Sequence, residues 1–235
     1  MRLASEEINP VCDEQRIFES LVPDHACVLE LGCGMAEKTR LIANGGKAAS
    51  ILALEVDQLQ HAENMKLSDL PQVRFGFGGA ENIPAGDAVF DLVMMFKSLH
   101  HVPVEKMDQA LREIARVLKP GGLAYLSEPV FAGDYNELIR LFHDEEVVRA
   151  AAFDAVRRAV DAKRLALVKQ IFFNTRIRFR DFAEFDRNVL NVTHTRHHLS
   201  AELYGAVRAK FEQRMTAAGA EFLVPIRVDL LRKSA

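Results

Sequence analysis

The segment from Val28 to Thr39, VLELGCGMAEKT, constrains the fold of this chain more than any other stretch. It begins with an apolar run typical of a buried strand, and Gly32 and Gly34 then allow a tight turn into a helix. Because glycine has no Cβ, a ligand can approach the backbone of such a turn closely. A strand, a glycine turn and a helix in this order place their ligand at the carboxyl end of the strand.

The residue types around this turn restrict the class of ligand. A dinucleotide site has a third glycine at the position of Glu37. A carboxylate in the first helical turn suits the helix dipole, but it repels pyrophosphate. The sequence also lacks the G-x-x-x-x-G-K-[ST] pattern of a Walker phosphate loop. The turn therefore favours a ligand without phosphate groups, such as S-adenosylmethionine, over the nucleotide of an oxidoreductase.

The composition fits one globular domain with a sizeable core, because the 235 residues are 49% hydrophobic and 27% charged. A net charge of -3 argues against a nucleic-acid surface. Cys12, Cys27 and Cys33 are spaced for neither zinc nor a disulfide framework, which favours free thiols and a cytoplasmic location. Residues 1–23 are too charged for a signal peptide, and no apolar run is long enough to span a membrane.

Predicted strands and helices alternate along the first half of the chain. Beyond the strand that begins at Val28, the predicted strands are Ile51–Val56, Val73–Phe77, Phe90–Phe96 and Leu123–Leu126. The predicted helices are Glu6–Leu21, Glu37–Asn44, Leu59–Leu67 and Val104–Leu118. This alternation predicts an α/β fold with a doubly wound, mostly parallel seven-stranded sheet that is covered on both faces.

The second half of the chain changes character. Residues Tyr135–Gln170 are predicted to form two helices that cap the carboxyl edge of the sheet, and their apolar faces would serve a homodimer interface equally well. Ser200–Ala218 predicts a further helix, and Phe222–Leu231 predicts a final strand. Within a single domain, the expected parts are a cofactor-binding core at 1–133, a cap inserted after strand five at 134–198, and a final helix and strand at 199–235.

Four motifs, taken in order, resemble those of the class I S-adenosylmethionine-dependent methyltransferases, especially the ubiquinone and menaquinone methyltransferases. They are ELGCG at Glu30–Gly34, ALEVD at Ala53–Asp57, the run GGAENIPAGDAVFDLVMMFKSLHHV at Gly78–Val102, and LKPGG at Leu118–Gly122. The resemblance covers Val28–Pro129 well and the remainder loosely. It implies a Rossmann-like fold and methyl transfer from S-adenosylmethionine to a small-molecule acceptor.

The resemblance also implies cofactor contacts at four places in the chain. Glu55 would accept hydrogen bonds from both ribose hydroxyls, Glu30 would lie near the methionine ammonium, and Lys97 would lie by the carboxylate and sulfonium. The full set of implied cofactor residues is Glu30, Gly32, Cys33, Gly34, Met35, Glu55, Val56, Ala80, Glu81, Phe96 and Lys97.

Two positions depart from the pattern of the family. Ala36 replaces a frequent third glycine, and Gly79 replaces an aspartate that accepts a hydrogen bond from the adenine amino group. Glu81 or Asn82 would have to take over that bond. The departure at Gly79 also keeps open a second function, in which a regulatory member of the family binds the cofactor without turnover.

Methyl transfer is an in-line displacement, so the protein mainly aligns the nucleophile with the methyl group. A base with a pKa near neutrality would remove a proton from the acceptor. His101 and Glu128 are the candidates, with His100 less favoured, although the LHH run of this family is often structural. The [DN]-P-P-[YF] run of amino-methylating relatives is absent, which favours an oxygen or carbon acceptor over nitrogen.

Three further groups have both a functional and a structural interpretation. His194, His197 and His198 show partial metal-ligand spacing, but no Glu or Cys nearby completes a set, so no metal site is expected. A series of three arginines would either hold an anionic substrate or form a solvated strand face, and the strand face is the preferred interpretation. A phenylalanine series would belong to the core or roof an apolar pocket. These two series are Arg176, Arg178 and Arg180, and Phe172, Phe173, Phe179, Phe182 and Phe185.

Overall fold

The computed structural model of the chain describes residues 1–5, 7–191 and 199–234. Within them, eight strands form one sheet. The strands are β1 (Ala26–Leu31), β2 (Ala48–Glu55), β3 (Val73–Phe77), β4 (Phe90–Phe96), β5 (Leu118–Pro129), β6 (Leu165–Phe179), β7 (Met215–Thr216) and β8 (Gly219–Lys233). The helices are α1 (Glu14–Glu19), α2 (Glu37–Asn44), α3 (Gln58–Asn64), α4 (Met107–Val117), α5 (Gly133–Ile139), α6 (Glu146–Asp161), α7 (Phe182–Phe185) and α8 (Ala201–Glu212).

The strand order confirms the predicted doubly wound sheet. It runs β3-β2-β1-β4-β5-β8-β6, and the short strand β7 pairs with β8 away from this path. Strands β1 to β5 pair in parallel, whereas β8 pairs antiparallel with both β5 and β6. Because the chain leaves β1 toward β2 on one side and returns to β4 on the other, a crevice opens at the carboxyl end of β1.

Both faces of the sheet are covered, which explains the unbroken apolar runs of the central strands. On one face, Phe18 of α1 and Ile42 of α2 pack in the same cluster as Val28 of β1. On the other face, Ile114 of α4 and Val156 of α6 pack in the cluster that contains Leu29. In the described ranges, no helix is long and apolar enough to cross a membrane.

The prediction of helix over the whole of Tyr135–Gln170 is wrong at its end, because Leu165–Gln170 form the first part of β6. Helix α6 also packs against α4 on a face of the sheet, where Val156 meets the cluster around Leu111. The alanine-rich pattern of this helix indicates burial, but it does not say against which neighbour. Leu165–Gln170 adopt a strand conformation because β6 pairs with β8 along its whole length.

Helices α5, α7 and α8 form a third cluster with the end of β6 and the start of β8. Since β6 is parallel to β5, this cluster lies at the carboxyl edge of the sheet. Its rings stack edge to face, for example Phe179 against Phe185 with centroids 5.3 Å apart. The phenylalanine series is therefore mainly core, although Phe173 belongs instead to the cluster around Phe18.

Helices α1 and α8 are much shorter than predicted, whereas α3 and α4 lose only a few residues at one or both ends. Helix α1 covers only Glu14–Glu19 of the predicted Glu6–Leu21, because Pro10 cannot donate within a helix and Asp13 caps the helix by accepting from the Gln15 N–H. The segment before Asp13 instead lies beside β6, where the Asn174 N–H donates to the Pro10 carbonyl at 2.7 Å. Helix α8 begins after its predicted cap Ser200 but ends at Glu212, before the turn into β7.

Candidate active site

The glycine turn after β1 is held in one shape by its neighbours. Gly32 and Gly34 have φ values of +71° and +52°, which side chains disfavour. A Cβ on Gly32 would lie 2.7 Å from the Cβ of Ser98, which follows β4. The N–H groups of Gly32 and Cys33 donate to the Leu54 carbonyl of β2 at 2.9 and 3.0 Å. The turn is therefore fixed between the ends of β2 and β4, at the crevice.

Ala36 adopts a left-handed conformation immediately before α2, with φ +60° and ψ +24°. It is buried, and its side chain cannot cap the helix. A non-glycine residue in this region costs about 1–2 kcal/mol. The glycine that the resemblance leads one to expect here would relieve that strain, so the departure at this position changes local energy and not the path of the backbone.

Glu55 at the end of β2 organises the backbone on both sides of the crevice. Its Oε2 accepts from the Gly34 N–H at 2.7 Å, and its Oε1 accepts from the N–H groups of Val56 and Asp57 at 2.8 and 2.9 Å. Two carboxylate oxygens offer about four lone-pair positions. Three are used by the backbone, which leaves capacity for a hydroxyl group.

Asn64 of α3, which no sequence motif indicated, holds the same turn. Its side chain is buried, and its Nδ2 donates to the Gly34 carbonyl at 2.7 Å and lies 3.5 Å from the Cys33 Sγ. Its Oδ1 accepts from Gln60 at 3.0 Å. An amide on the sheet-facing side of a helix is the signal that would have indicated a polar contact at this point.

Glu30, the last acidic residue before the turn, is buried and accepts a 2.6 Å hydrogen bond from the Thr39 hydroxyl. Burial raises the pKa of Glu30 to about 8, and the Thr39 hydrogen bond and Lys38 only partly oppose this. The carboxyl group is therefore mostly protonated at neutral pH. A cation placed beside it would shift it toward the charged form.

The loop after β3 folds the Glu81 side chain back over Gly79. A Cβ on Gly79 would lie 2.8 Å from the Glu81 Cδ, so the Glu81 carboxylate fills the space that a side chain at residue 79 would use. Ala80 between them is buried. On the other side of the crevice, Met35 and Val56 are large apolar side chains that remain 69% and 59% exposed.

Lys97, directly after β4, has an unusual conformation. Its φ is +55°, although it is not glycine, and burial lowers the pKa of its ammonium group. Glu14, Glu37 and Glu128 attract this ammonium and partly oppose the lowering of its pKa. Lys97 lines a cavity of about 550 Å³, whose other walls are residues 11–14, Lys38 and residues 175–177 of β6.

Glu14 forms a buried polar group on the wall of this cavity and was not singled out from the sequence. It accepts hydrogen bonds from the Tyr125 hydroxyl at 3.2 Å and from the Ser127 hydroxyl, and it pairs with Lys38 at 3.5 Å. Lys38 is in the first turn of α2, and its ammonium also lies 5.6 Å from the ring centroid of Phe96. The cavity wall thus contains both negatively and positively charged side chains.

Glu128, at the end of β5, contacts His100, which follows β4 together with His101. Glu128 accepts from the Leu99 N–H at 2.9 Å and pairs with Nδ1 of His100, so both of its oxygens are engaged. Burial opposes protonation of His100, but Glu128 and Glu145 together raise its pKa to about 9. His101 is exposed, and its ring centroid lies 4.1 Å from that of His100. His194, His197 and His198 fall outside the described residues.

Residues 28–122 match the family model described as "Methyltransferase domain". This range contains the glycine turn, Glu55, Glu81, Lys97 and the two histidines. The chain contains a class I S-adenosylmethionine-dependent methyltransferase domain. The narrower resemblance to ubiquinone and menaquinone methyltransferases has no such support.

Curated relatives of the methyltransferase domain match over part of their length. Methyltransferase GfsG of Streptomyces halstedii is 30% identical over 114 residues, which are 47% of this chain and 40% of GfsG. O-methyltransferase rstn1 of Aspergillus nomiae is 34% identical over 125 residues, which are 50% of this chain and 53% of that protein. The chain thus spans about half the length of the curated relatives that it matches.

A solved structure shares the fold of both the methyltransferase domain and the C-terminal half of this chain. The YcgJ protein of Bacillus subtilis superposes with a TM-score of 0.68, covering 94% of this chain and 98% of YcgJ, at 18% identity. At that identity the likeness shows the fold alone. It extends well beyond residue 122, so β6, β8 and the helices between them belong to the same architecture.

Proposed function

We propose that this chain transfers the methyl group of S-adenosylmethionine to an oxygen atom of a small molecule, with carbon as the second choice. The observation that supports this most strongly is the glycine turn at the crevice, fixed by Leu54, Ser98 and the Glu55 carboxylate. When bound, S-adenosylmethionine supplies an electrophilic methyl group on a sulfonium, which needs no further activation.

The residues around the turn fit this cofactor by their chemistry. The proposed contacts of Glu55 are the ribose hydroxyls, because its remaining lone pairs accept hydrogen bonds. Buried Glu30 would face the methionine ammonium, and its protonation would respond to that charge. Glu81 would accept from the adenine amino group in place of the missing aspartate. Exposed Met35 and Val56 would cover apolar parts of the ligand.

The 550 Å³ cavity beside Lys97 is the proposed acceptor pocket. Its volume falls in the range typical of small-molecule sites. Its polar wall, with Glu14, Lys38 and Lys97, suits an acceptor that bears hydroxyl or carboxylate groups. The name O-methyltransferase rstn1 agrees with an oxygen acceptor. The wall includes the N-terminal segment at residues 11–14, so the specificity of the pocket is not confined to the cap predicted from sequence.

The test is a methyl-release assay with S-adenosylmethionine and a panel of phenols, alcohols and hydroxy acids. We expect S-adenosylhomocysteine to form with at least one hydroxyl compound. Glu55→Gln should weaken S-adenosylhomocysteine binding by about 1.5–3 kcal/mol, the usual size for a bond to a charged group. Glu63→Gln, on the exposed side of α3, is the matched control and should bind normally.

Two outcomes would contradict the proposal in different ways. Binding of S-adenosylhomocysteine without turnover on any acceptor would favour the regulatory alternative. Binding of NAD in place of S-adenosylhomocysteine would favour an oxidoreductase, and it would show that Glu37 does not exclude pyrophosphate.

A further inference from the structure

Two histidines and a glutamate converge where β4 and β5 end. The ligand atoms of His100, His101 and Glu145 all lie within 4.8 Å of one another. His100 and Glu145 are buried and His101 is exposed, so the group opens toward solvent on one side. The Nε2 of His100 lies 3.5 Å from the Oε1 of Glu145.

We propose that His100, His101 and Glu145 bind one divalent transition-metal ion of the zinc class. Two imidazoles and one carboxylate form a donor set that suits Zn²⁺, Co²⁺ or Ni²⁺, whereas Mg²⁺ and Ca²⁺ prefer oxygen ligands throughout. Three protein ligands leave a further position free, as in zinc sites that bind a substrate or water.

The neighbours of these residues orient them as the partners of metal ligands do. Glu128 pairs with Nδ1 of His100, which directs Nε2 toward Glu145 and His101. Ligating histidines commonly hold a carboxylate in this way, and the partner fixes the tautomer and the ring. Arg149 donates to Oε2 of Glu145 at 2.6 Å and leaves Oε1 facing the histidines. The Nε2 of His143 also lies 2.9 Å from that Oε1.

A different interpretation of the same group is an imidazolium held between two glutamates. That ion pair requires only His100, Glu128 and Glu145, and it gives His101 no role. A metal site requires His101, because a single imidazole and a carboxylate make a weak set. His101 is therefore the residue whose replacement separates the two interpretations. As a metal ligand it would also be unavailable as the base that the sequence suggested.

The position of the group gives the ion a use. The short helical turn Leu99–His101 follows β4, and Glu128 is at the end of β5. None of the three proposed ligands lines the 550 Å³ cavity, so a bound ion would join the turn after β4 to the start of α6 and would not contact the acceptor. Neither metal binding nor this use depends on the proposed methyl transfer.

The experiment titrates ZnCl₂ into the chelator-treated full chain by calorimetry and records the visible spectrum with CoCl₂, with MgCl₂ for comparison. We expect one Zn²⁺ per chain, a tetrahedral Co²⁺ spectrum and no comparable Mg²⁺ binding. His101→Ala, at an exposed position, should weaken Zn²⁺ binding at least about 100-fold. Glu128→Gln keeps an oxygen for the Leu99 N–H and should weaken it about 10–100-fold.

His25→Asn is the matched control, because it removes an exposed histidine whose φ of +59° asparagine tolerates. Unchanged Zn²⁺ affinity in a folded His101→Ala protein would overturn the proposal in favour of the ion pair. Loss of affinity only when His194, His197 and His198 are all replaced by alanine would overturn it as well. None of these measurements requires methyl transfer, so a failed metal site leaves S-adenosylhomocysteine binding and the proposed function intact.

Discussion

Gly32 and Gly34 lie in the same turn but have different surroundings. Alanine at Gly32 would add left-handed strain and an overlap with the Ser98 Cβ, so we expect a loss of about 2–5 kcal/mol in the free energy of unfolding. Alanine at Gly34 meets nothing within 4 Å, so only the strain of about 1–2 kcal/mol is expected. Urea unfolding of both variants measures the difference, and equal losses would contradict the geometry.

Glu30 gives the site a dependence on pH. With a pKa near 8, its carboxyl group is mostly protonated at pH 7 in the free protein. An ammonium group beside it would favour ionisation, so cofactor binding should release up to about one proton. Calorimetry of S-adenosylhomocysteine binding in buffers of different ionisation enthalpy at pH 7 measures this release.

Glu30→Gln supplies the control for proton release and a stability test. The wild-type pKa is raised from 4.5 to about 8 on folding, so protonated Glu30 contributes stability that is complete below about pH 4.5. That contribution is lost as the pH rises toward 8. The variant should therefore gain stability relative to wild type between pH 5 and pH 8, and it should bind without the buffer dependence. A constant difference across this range would refute the assignment.

At the scale of elements, helix α4 positions the loop that contains Glu81. Arg116 donates to the carbonyls of Ile83 and Ala85 at 3.1 and 2.8 Å, and Glu113 accepts from the Ile83 N–H at 3.0 Å. These bonds fix the path from β3 to β4 without a helix between them. The proposed adenine contact therefore depends on an ion-paired helix some thirty residues further along the chain.

The N-terminal segment that lines the cavity is attached to β6 through Asn174. The Asn174 side chain donates to the Ile8 carbonyl, while its backbone pairs with Pro10 and Cys12. Asn174→Ala should cost about 1 kcal/mol of stability and raise amide exchange at residues 7–12, because one anchor is lost. Gln170→Ala, which removes the bonds of Gln170 to Arg2 and Asp229 and leaves residues 7–12 attached, is the control. Unchanged exchange in Asn174→Ala would show that the backbone bonds suffice.

For the whole molecule, cofactor binding should appear as thermal stabilisation. A ligand at 100 times its Kd adds about 2.7 kcal/mol to the folded state. For a domain of this size, each kcal/mol raises Tm by about 2–4 °C, so S-adenosylhomocysteine should raise Tm by about 5–11 °C. NAD at the same concentration should leave Tm unchanged, since Glu37 opposes pyrophosphate. A larger shift with NAD would reverse the ligand assignment.

Much of the sheet could be predicted from local pattern. The bounds of β3, β4 and α2 agree with the predictions at Val73–Phe77, Phe90–Phe96 and Glu37–Asn44. Central strands are buried on both faces, so their apolar runs indicate strand without knowledge of the neighbours. The two glycines of the turn are equally visible in the sequence, because a positive φ favours residues that lack a Cβ, although the contacts that hold the turn come from β2 and β4.

The tertiary structure alone decided the remainder. Strand β6 begins at Leu165, inside a predicted helix, because it lies at the sheet edge and its pairing with β8 determines its conformation. Glu14 meets Tyr125, and His100 meets Glu145, only when segments distant in sequence pack together. Local periodicity encodes which side of an element is buried. It does not encode which polar groups meet in that burial, because desolvation and charge pairing depend on long-range packing.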